Sequence, residues 1–428
     1  MRIAVVGTGY VGLVTGACFA DLGHEVACVD VDPERVGKLR SGQIPIHEPG
    51  LEDVVQRGLE SGRLRFTSDH GDAMQGVHVA FICVQTPSGM DGGADLSFVE
   101  KAAGDLARHI AGYIVIVNKS TVPVGARDFV ERTIRTRLPE NVEFDVASNP
   151  EFLREGTAVF DFMHPDRVVI GTLSERAAGV LTELYRPLGA PLIVTDPASA
   201  EMIKYASNTF LATKISFINA IANLCDAVGA DVKDVALGMG YDARIGFEFL
   251  KPGPGFGGSC LPKDARALVR LAKDNGYDFD LLKGVLAVND EQHDVIAAKV
   301  ERRVGGLEGK TIAAWGVSFK PNTDDVRDSP AIEVIRRLVE RGARVRAYDP
   351  VVSERVFGEL GIERAPGPVE AAEGADGVVV LTEWNEFRWL DFHRLRDIMA
   401  RPVIVDARNL LDPHTLRQIG FVYEGVGR

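Results

Sequence analysis

One cysteine, within residues 253–264, has neighbours in the sequence that could activate it as a nucleophile. This stretch reads GPGFGGSCLPKD, and its glycines let the backbone approach a ligand closely. Pro262 suits the first position of a helix, and apolar residues continue at helical spacing after it. Cys260 is therefore predicted at or just before a helix N-terminus, beside Lys263, and both features favour the attacking thiolate. The alternative is a glycine-rich turn whose cysteine only packs.

Polar groups that could assist a nucleophile recur at helical spacing elsewhere in the chain. Residues 199–228 contain neither Gly nor Pro and predict one helix of about 30 residues. Lys204 and Asn208 lie four apart in its otherwise apolar first half, which favours a functional role for both. Glu151 and Glu155 are also four apart, and they would share one face if their segment were helical.

The N-terminus carries a dinucleotide-binding pattern. Gly7, Gly9 and Gly12 form a G-x-G-x-x-G motif between a buried strand and a helix predicted over residues 13–22. These glycines permit the tight turn that brings a pyrophosphate to the helix N-terminus. A second predicted strand ends at Asp30, as the complete fingerprint requires. The sequence therefore predicts a cofactor site at this first turn.

The acid that ends the second strand predicts which dinucleotide binds. The Asp30 carboxylate would bond the adenosine ribose hydroxyls and repel a 2′-phosphate, so NAD is predicted rather than NADP. Arg35 lies close in sequence, and an arginine there could accept that phosphate instead.

Polar residues follow three further strands, where open parallel sheets bind their ligands. Thr86 follows one predicted strand, and Ser120 and Thr121 follow the next, while Glu151 follows a third. Each hydroxyl residue could equally cap a helix or form a turn.

The C-terminal third repeats the strands of the N-terminal part without repeating its glycine motif. Gly316 ends the first repeated strand, but VSFK follows it instead of G-x-G-x-x-G. The second half is therefore predicted to hold phosphate through cations, of which Lys320 and Arg327 are available. The repeated strands lie within residues 310–316, 342–350 and 375–382.

Length and pattern together predict the architecture. A chain of 428 residues exceeds the usual span of one core. We predict an α/β protein with two Rossmann-like doubly wound domains, joined by a long central helix with a small helical domain. The predicted domains are an NAD-binding domain (1–198), a central helical or dimerisation domain that carries Cys260 (199–304), and a second domain for another phosphorylated ligand (305–428).

Composition argues against several classes of function. A formal charge of −13 and a pI near 5.3 disfavour a nucleic-acid or anionic-membrane surface. The chain has no apolar run of about 18 residues and no leader before the first strand, so neither a membrane span nor a signal peptide is expected. Its cysteines are scattered and never spaced C-x-x-C, which predicts a reducing, cytoplasmic setting without disulfides or a metal site. Those predicted as core residues are Cys18, Cys28, Cys83 and Cys225.

The motifs, taken in order, resemble those of a known enzyme family. They run GTGYVG, CVQTPS, KSTVPVG, NPEFLREGTA, the helix of Lys204 and Asn208, RIGFEFLKPGPGFGGSCLPKD, FKPNTDDVRDSP and LTEWNEF. Over its whole length the chain resembles the nucleotide-sugar 6-dehydrogenase family, for which the glycine-cysteine motif with its Pro-Lys-Asp tail is highly specific. RIG-x-x-FL and TEWNEF look like the branch that uses UDP-glucose, whereas Leu261 is common in the GDP-mannose branch.

The resemblance implies oxidation of a sugar 6-hydroxymethyl to a carboxylate with two NAD, through a thioester. Cys260 would be the nucleophile, adding to the aldehyde to give a thiohemiacetal from which the second hydride leaves. Lys204 and Asp264 would handle the first proton and stabilise the alkoxide, with Asn208 as an oxyanion donor. Glu151 would activate the water that hydrolyses the thioester.

The resemblance also implies a set of binding residues. Thr121 would position the hydrolytic water, and Arg244 would reach the sugar of a neighbouring subunit, so a homodimer or higher homo-oligomer is expected. The residues expected to contact the cofactor are Gly7, Gly9, Tyr10, Val11, Gly12, Asp30, Arg35, Thr86, Ser120, Thr121, Glu155, Lys263 and Arg327. Those expected to contact the nucleotide sugar are Glu151, Phe152, Leu153, Lys204, Asn208, Arg244, Phe249, Lys251, Gly257, Phe319, Lys320 and Arg408.

Three other interpretations remain open. A GDP-mannose 6-dehydrogenase or a UDP-N-acetylhexosamine 6-dehydrogenase would share the chemistry and change the base and sugar contacts. A two-electron dehydrogenase with a Rossmann domain and long helices would not need Cys260. A non-catalytic nucleotide sensor would need neither Cys260 nor Lys204. Counting NADH per sugar separates these classes, because they produce two, one or none.

Overall fold

Short apolar runs between turn residues form the strands of a first α/β unit, Met1–Ser207 (unit 1). The computed structural model describes residues 1–87, 89 and 93–428, and Ser88 of the CVQTPS motif lies outside this description. The strands of unit 1 are β1 (Arg2–Val6), β2 (Glu25–Val29), β3 (Leu64–Thr67), β4 (Val79–Ile82), β5 (Ile114–Asn118), β6 (Phe144–Ser148), β7 (Val168–Gly171) and β8 (Leu192–Thr195). Its helices are α1 (Tyr10–Asp21), α2 (Pro33–Arg40), α3 (Leu51–Glu60), α4 (His70–Ala73), α5 (Ser97–Ala107), α6 (Ala126–Arg135), α7 (Ala158–Met163) and α8 (Glu175–Tyr185).

The described strands of unit 1 form one doubly wound sheet. Their order is β3-β2-β1-β4-β5-β6-β7-β8, and the pairs are parallel except for β6 with β7. Alternate residues of β5 pack on opposite faces: Val115 and Val117 belong to the core that contains α1, and Ile114 and Ile116 to the core that contains α5 and α6. Strand order reverses between β1 and β4, which is where such sheets bind ligands.

A long helix without Gly or Pro, predicted over residues 199–228, is confirmed as α9 (Pro197–Val228). It passes from unit 1 into the second unit after Ser207. Its length and apolar content alone would suffice to cross a membrane. Because the buried charges of Glu201 and Lys204 on this helix have hydrogen-bond partners within unit 1, we interpret α9 as a helix of the folded core.

The C-terminal repeat of strands builds a second sheet in Asn208–Arg428 (unit 2). The order of its described strands is β11-β10-β9-β12-β13-β14, with parallel pairs throughout. The predicted fold class, two Rossmann-like sheets with a long central helix, is therefore confirmed. The strands are β9 (Thr311–Trp315), β10 (Arg344–Tyr348), β11 (Glu363–Arg364), β12 (Gly377–Val380), β13 (Val403–Asp406) and β14 (Val422–Glu424). The remaining helices are α10 (Val232–Gly240), α11 (Leu261–Asp274), α12 (Asp280–Val304), α13 (Pro330–Glu340), α14 (Glu354–Leu360), α15 (Pro368–Ala372), α16 (Phe392–Ile398) and α17 (Pro413–Ile419).

The structure corrects the helix considered for Glu151 and Glu155. Residues 151–154 form no helix, and α7 begins only after Gly156, whose φ is +84°. The Leu153 N–H has a local partner instead of a helical carbonyl oxygen: it donates to Glu151 Oε2 at 2.6 Å. The expectation that the two glutamates share one helix face is therefore wrong.

Candidate active site

The turn between β1 and α1 has the shape that the glycine motif predicts. Gly7 has φ +94°, and a Cβ there would lie 2.8 Å from the Cys83 carbonyl oxygen. A Cβ on Gly12 would overlap the carbonyl oxygen of Gly7, so only glycine fits this position. Gly9 is the N-cap of α1, which begins at Tyr10 rather than at residue 13 as predicted. A Cβ on Gly9 would meet no atom within 4 Å, so the space in front of the helix start is open.

The Asp30 carboxylate lies beside this turn. It accepts the N–H and the hydroxyl of Thr8 at 2.8 and 2.7 Å and the N–H of Asp32 at 3.0 Å, while the Arg35 guanidinium lies 3.9 Å away. Burial alone would raise the pKa of Asp30, but these donors and the Arg35 charge more than offset it, so the pKa is lowered. The group is therefore an ionised carboxylate at the position where a ribose is expected.

Residues with hydroxyl side chains follow β4 and β5, and their hydrogen bonds join the loop after β4 to the loop after β5. The Thr86 hydroxyl donates to the Thr121 carbonyl oxygen at 2.8 Å, and the Ser120 hydroxyl donates to the Val84 carbonyl oxygen at 2.6 Å. Ser120, Thr121 and Lys204 line one small cavity of unit 1. Thr86 and Ser120 thus act at least as turn residues, and Thr121 lies close to a candidate catalytic lysine.

Glu151 and Lys204 form a buried ion pair in unit 1. The Lys204 Nζ donates to Glu151 Oε1 at 2.8 Å and to the Glu151 carbonyl oxygen at 2.7 Å, and it lies 5.4 Å from the centre of the Phe152 ring. Burial alone would raise the pKa of Glu151, but the Lys204 charge and hydrogen bond, the Leu153 N–H and the Lys119 charge lower it overall. The pair therefore presents a carboxylate and an ammonium together.

Cys260 is the N-cap of α11, as its sequence setting predicts. Its Sγ lies 3.5 Å from the Ser259 hydroxyl, and the side chain is half-buried. The other four cysteines are buried as predicted, and burial raises the pKa of both Cys18 and Cys83 to about 12. Cys260 therefore differs from them in exposure and in lying at a helix N-terminus.

The first turn of α11 carries a polar cluster around the fully buried Asp264. Asn208 Nδ2 donates to Asp264 Oδ2 at 2.7 Å, and Lys263 Nζ donates to Asp264 Oδ1 at 2.8 Å. An acid in a first helical turn also stabilises the helix, so Asp264 has a structural role in addition to any catalytic one. Unit 2 thus brings together three of the predicted site residues one turn beyond Cys260.

Side chains on α9 and α12 hold the glycine stretch that precedes Cys260. Asn219 Oδ1 accepts the Gly253 N–H at 2.8 Å, and Gln292 Nε2 donates to the Gly253 carbonyl oxygen at 3.0 Å. Asn289 Oδ1 accepts the Phe256 N–H at 2.7 Å. From the sequence, the four-residue spacing of Asn219 and Asn223 on α9 indicates only a solvated or interhelical polar stripe, so the role of Asn219 was not predicted. Asn289 and Gln292 were missed altogether.

Phe319 and its neighbours lie against the same glycine stretch. A Cβ on Gly258 would lie 2.8 Å from the Phe319 ring, and one on Gly257 would overlap the Asp328 carbonyl oxygen. The Arg408 guanidinium donates to the Phe319 carbonyl oxygen at 3.0 Å, and Lys320 Nζ lies 5.3 Å from the Phe319 ring centre. The structure therefore joins four predicted substrate residues, Gly257, Phe319, Lys320 and Arg408, in unit 2.

Other predicted residues lie at the surface of their units. Arg244 pairs with Asp242 at 2.6 Å and Arg327 with Asp325 at 2.8 Å, both as exposed guanidinium groups. Lys251 is exposed as well. Phe249 has a left-handed backbone with φ +63°. The Glu155 charge is among the causes that raise the pKa of Tyr10, after burial and Glu48.

Sequence reasoning also missed three buried ionisable residues of unit 1. Glu201 accepts the N–H groups of Gly125 and Arg127 at 2.7 and 3.1 Å and thereby caps α6. Lys119 donates to Asn149 Oδ1 at 3.0 Å, and burial lowers its pKa to about 8. Glu48 is the third. No short-range pattern marks them, because their partners lie far along the chain.

Comparisons with known proteins agree with the geometry. Residues 1–189, 198–291 and 313–413 match, in order, the NAD binding domain, the central domain and the UDP binding domain of the UDP-glucose/GDP-mannose dehydrogenase family. A UDP-glucose 6-dehydrogenase of Rhizobium meliloti (strain 1021) is 51% identical over 436 aligned residues, covering 100% of both chains. The solved UDP-glucose dehydrogenase of the archaeon Pyrobaculum islandicum has a TM-score of 0.93 at 42% identity, over 99% of this chain and 97% of that one. A UDP-D-ManNAc dehydrogenase of Pyrococcus horikoshii has a TM-score of 0.90 at 31% identity, over 100% and 99%.

Proposed function

Because the chain belongs to the UDP-glucose/GDP-mannose dehydrogenase family, it is an NAD-dependent oxidoreductase, and we propose that its substrate is UDP-glucose. The product is then UDP-glucuronate, formed by two hydride transfers from carbon 6 of the sugar. The observation that carries the proposal is Cys260, half-exposed at the N-cap of α11, whose first turn holds Lys263 and Asp264. A simple alcohol dehydrogenase has no use for this thiol.

The turn after β1 is suited to the cofactor. NAD, when bound, accepts the hydride of each oxidation step. The N–H groups of Tyr10 and Val11 lack intrahelical partners because they lie in the first turn of α1, so they suit a pyrophosphate. The ionised Asp30 suits ribose hydroxyls, and its charge disfavours the 2′-phosphate of NADP. Arg35, 3.9 Å from Asp30, already faces a carboxylate.

Lys204, Asp264 and Asn208 serve the first oxidation in this proposal. The 6-hydroxyl loses its proton to Asp264, and the Lys204 ammonium stabilises the alkoxide from which the hydride leaves. Lys204 is suited to that task because Glu151 holds its ammonium in a buried site. Asn208 has a second amide hydrogen besides the one given to Asp264, so it can donate to the oxyanion.

Cys260 carries the second oxidation. Its sulfur adds to carbon 6 of the aldehyde and the thiol proton passes to the carbonyl oxygen. The resulting thiohemiacetal bears the hydrogen that an aldehyde does not readily surrender as hydride. Loss of that hydride together with the hydroxyl proton leaves a thioester. Water then attacks the carbonyl carbon, the C–S bond breaks and the thiol returns. Glu151, whose pKa is lowered, is a carboxylate that can take the proton of this water, with Thr121 as its positioning partner.

Unit 2 holds the nucleotide sugar in this proposal. Lys320 and Arg408 flank the segment of Phe319 and supply positive charge for the diphosphate. Within the backbone of residues 249–257, Gly253 and Phe256 are held by the amides described above. Lys251 and Arg244 are exposed and are proposed to contact the sugar nucleotide, Arg244 in a neighbouring subunit.

An apolar stripe on α9 supports a homodimer. Phe210, Phe217 and Leu224 recur every seven residues and are 65%, 49% and 57% exposed. Exposed aromatic and aliphatic residues in one line along a helix are typical of a face covered by a partner. We propose that a second copy of this chain covers it, and that the enzyme acts in the cytoplasm, where NAD is available and thiols stay reduced.

Reaction of the purified protein with a panel of nucleotide sugars tests the function. UDP-glucose is expected to yield two NADH per sugar and the highest kcat/KM. Preference for a UDP-N-acetylhexosamine, which the likeness to the Pyrococcus horikoshii enzyme makes the second candidate, would reassign the substrate and keep the chemistry. One NADH per sugar with every substrate would reject the thioester route.

A further inference from the structure

Glu48 is a buried carboxylate that belongs to none of the motifs discussed so far. It lies in the loop before α3 and is 7% exposed. Its Oε1 accepts the N–H of Ala158 at 2.7 Å, and its Oε2 accepts the N–H of Gly156 at 2.6 Å. The Tyr10 hydroxyl also donates to Oε2. One carboxylate therefore joins two segments that lie far apart in the sequence.

The Tyr10 side of this cluster is the start of the dinucleotide-binding helix. Tyr10 is the first residue of α1, and its hydroxyl oxygen also accepts the Gly156 N–H at 3.1 Å. Burial, the hydrogen bond to Glu48 and the nearby negative charges raise the pKa of Tyr10, so its hydroxyl remains a donor at every working pH. The three groups thus close a triangle of hydrogen bonds.

The Gly156 side is the end of the segment that carries Glu151 and Glu155. This segment has no helix or strand of its own, so its course depends on what holds its two ends. Lys204 holds it at Glu151. At the other end Glu48 holds Gly156, and it also bonds the first N–H of α7, which a helix leaves without an internal partner.

We propose that Glu48 is a positioning residue that sets the start of α1, where NAD binds, against the segment of Glu151 and Glu155. The part of this proposal that concerns Glu151 rests on the function proposed above. Because one buried carboxylate serves both segments, its loss shifts the cofactor site and the hydrolytic carboxylate together. The hydrogen bonds of Glu48 described above are to Tyr10, Gly156 and Ala158, all in unit 1.

Kinetics of Glu48→Gln test the proposal. The amide keeps the volume of the side chain, but its NH₂ group faces the N–H donors, so about 10-fold higher KM for NAD and about 10-fold lower kcat are expected. The KM for UDP-glucose is expected to rise less than the KM for NAD, because Lys320 and Arg408, which are proposed to hold its diphosphate, belong to unit 2. Glu52→Gln, the same change at an exposed position of α3, is the matched control and is expected to leave both constants unchanged.

Tyr10→Phe provides a second variant that keeps the ring and removes only the hydroxyl, which donates to Glu48 and accepts from Gly156. It is expected to raise the KM for NAD about threefold to tenfold. In the double variant Tyr10→Phe/Glu48→Gln the two losses are expected to be less than multiplicative, because they break one shared hydrogen bond. Multiplicative losses would show that the two residues act separately, and Tyr10→Phe alone decides the matter if Glu48→Gln does not fold.

A purely structural role makes a different prediction. Glu48→Gln would then lower the melting temperature while KM for NAD and kcat stay at wild-type values, and this result would overturn the proposal. NADH binding, followed by its fluorescence in wild type and Glu48→Gln, needs no sugar substrate. It therefore tests the positioning of α1 even if UDP-glucose fails as a substrate and the function proposed above is rejected.

Discussion

The two units repeat one strand-turn-strand pattern, and the repeats begin identically. In unit 1 the Gly7 N–H donates to the Val29 carbonyl oxygen at 2.8 Å, and in unit 2 the Gly316 N–H donates to the Tyr348 carbonyl oxygen at 2.8 Å. Both glycines have φ +94°. In each unit an acid follows the second strand directly.

These two acids differ in what surrounds them. Asp30 of unit 1 retains 10% side-chain exposure beside the open space at Gly9. Asp349 of unit 2 is fully buried, and one of its oxygens accepts the backbone N–H of Val317 and the indole N–H of Trp384, at 2.9 and 3.2 Å. The carboxylate of Asp349 is thus used inside the fold and is not accessible to a ribose.

The turns that follow the two glycines differ as well. In unit 1 the helix α1 starts at Tyr10, directly after the glycine turn, whereas in unit 2 residues 317–329 precede α13 and carry Phe319 and Lys320. Unit 2 thus shares this turn geometry with unit 1, but its acid is buried and its turn is longer. In place of the glycine turn it has a longer segment that carries Phe319 and Lys320.

The largest effect is expected from Cys260→Ser. Cys260 lies outside both repeated turns, and it is the proposed nucleophile. We expect kcat to fall by more than about 1,000-fold, while NADH affinity stays within about twofold. Steady-state kinetics and NADH fluorescence measure the two quantities. Cys225→Ser, the same change at a buried cysteine of unit 2, is the control and should lower stability while kcat is retained. Undiminished turnover of Cys260→Ser would remove the covalent route.

Substitution of the two acids tests the comparison directly. Asp30→Ala is expected to raise the Kd for NAD about 10- to 100-fold and to affect NADP less, because the carboxylate serves the ribose. Asp349→Ala is expected to leave the Kd for NAD unchanged and to lower the unfolding free energy by about 3 kcal/mol, since buried N–H donors lose their acceptor. Calorimetric titration and denaturant unfolding report both. Equal losses for NAD and NADP in Asp30→Ala would count against the ribose assignment.

Lys320→Met tests whether the segment after Gly316 holds the nucleotide sugar. We expect about a 10-fold rise in KM for UDP-glucose with unchanged KM for NAD, because the Lys320 charge is proposed to bind the sugar diphosphate. Initial-rate kinetics with each substrate varied give both constants. Lys273→Met removes an exposed charge from the last turn of α11 and should change neither. A rise confined to the KM for NAD would reverse the roles of the two turns.

The smallest effects are expected from two buried ionisable residues, one at the fifth strand of each sheet. Lys119 follows β5 in unit 1, and Asp406 ends β13 in unit 2. Burial lowers the pKa of Lys119 from 10.5 to about 8, so between these pH values the unfolded chain holds a proton that the folded chain has lost. The unfolding free energy therefore rises with pH, by about 1 kcal/mol from pH 7 to 9. Burial raises the pKa of Asp406 above 3.8. The contribution of Asp406 to the unfolding free energy therefore falls as the pH rises above 3.8.

Denaturant unfolding across pH separates these two contributions. Lys119→Met should abolish the rise between pH 7 and 9, and Asp406→Asn should flatten the acid side of the curve. An unchanged rise in Lys119→Met would mean that another group is responsible for it.

Local patterns were sufficient to predict most of the fold. Alternation of apolar runs with glycine turns predicted both sheets, and the absence of Gly and Pro predicted α9. The position of Cys260 at a helix start followed from Pro262 and the apolar spacing after it. Each of these features depends on residues within a few positions of one another, which a single sequence displays directly.

The missed features depend on partners that are distant in sequence. Glu48 meets Gly156 across 108 positions, and Asn219 meets Gly253 across 34. The four-residue spacing of Glu151 and Glu155 is compatible with a helix. The segment is instead held by Lys204 and Glu48, and no propensity of its own residues encodes those contacts. Positioning residues are therefore harder to predict than the reactive groups they hold.

The central claim is that Cys260 carries the oxidised carbon covalently between two hydride transfers. Its most direct test is the mass of the Cys260 peptide after acid quench of Glu151→Gln with UDP-glucose and NAD, because this variant lacks the carboxylate proposed to activate water. We predict that a UDP-glucuronyl thioester accumulates on Cys260 in step with NADH. An unmodified Cys260 in a variant that still forms two NADH per sugar would contradict the account.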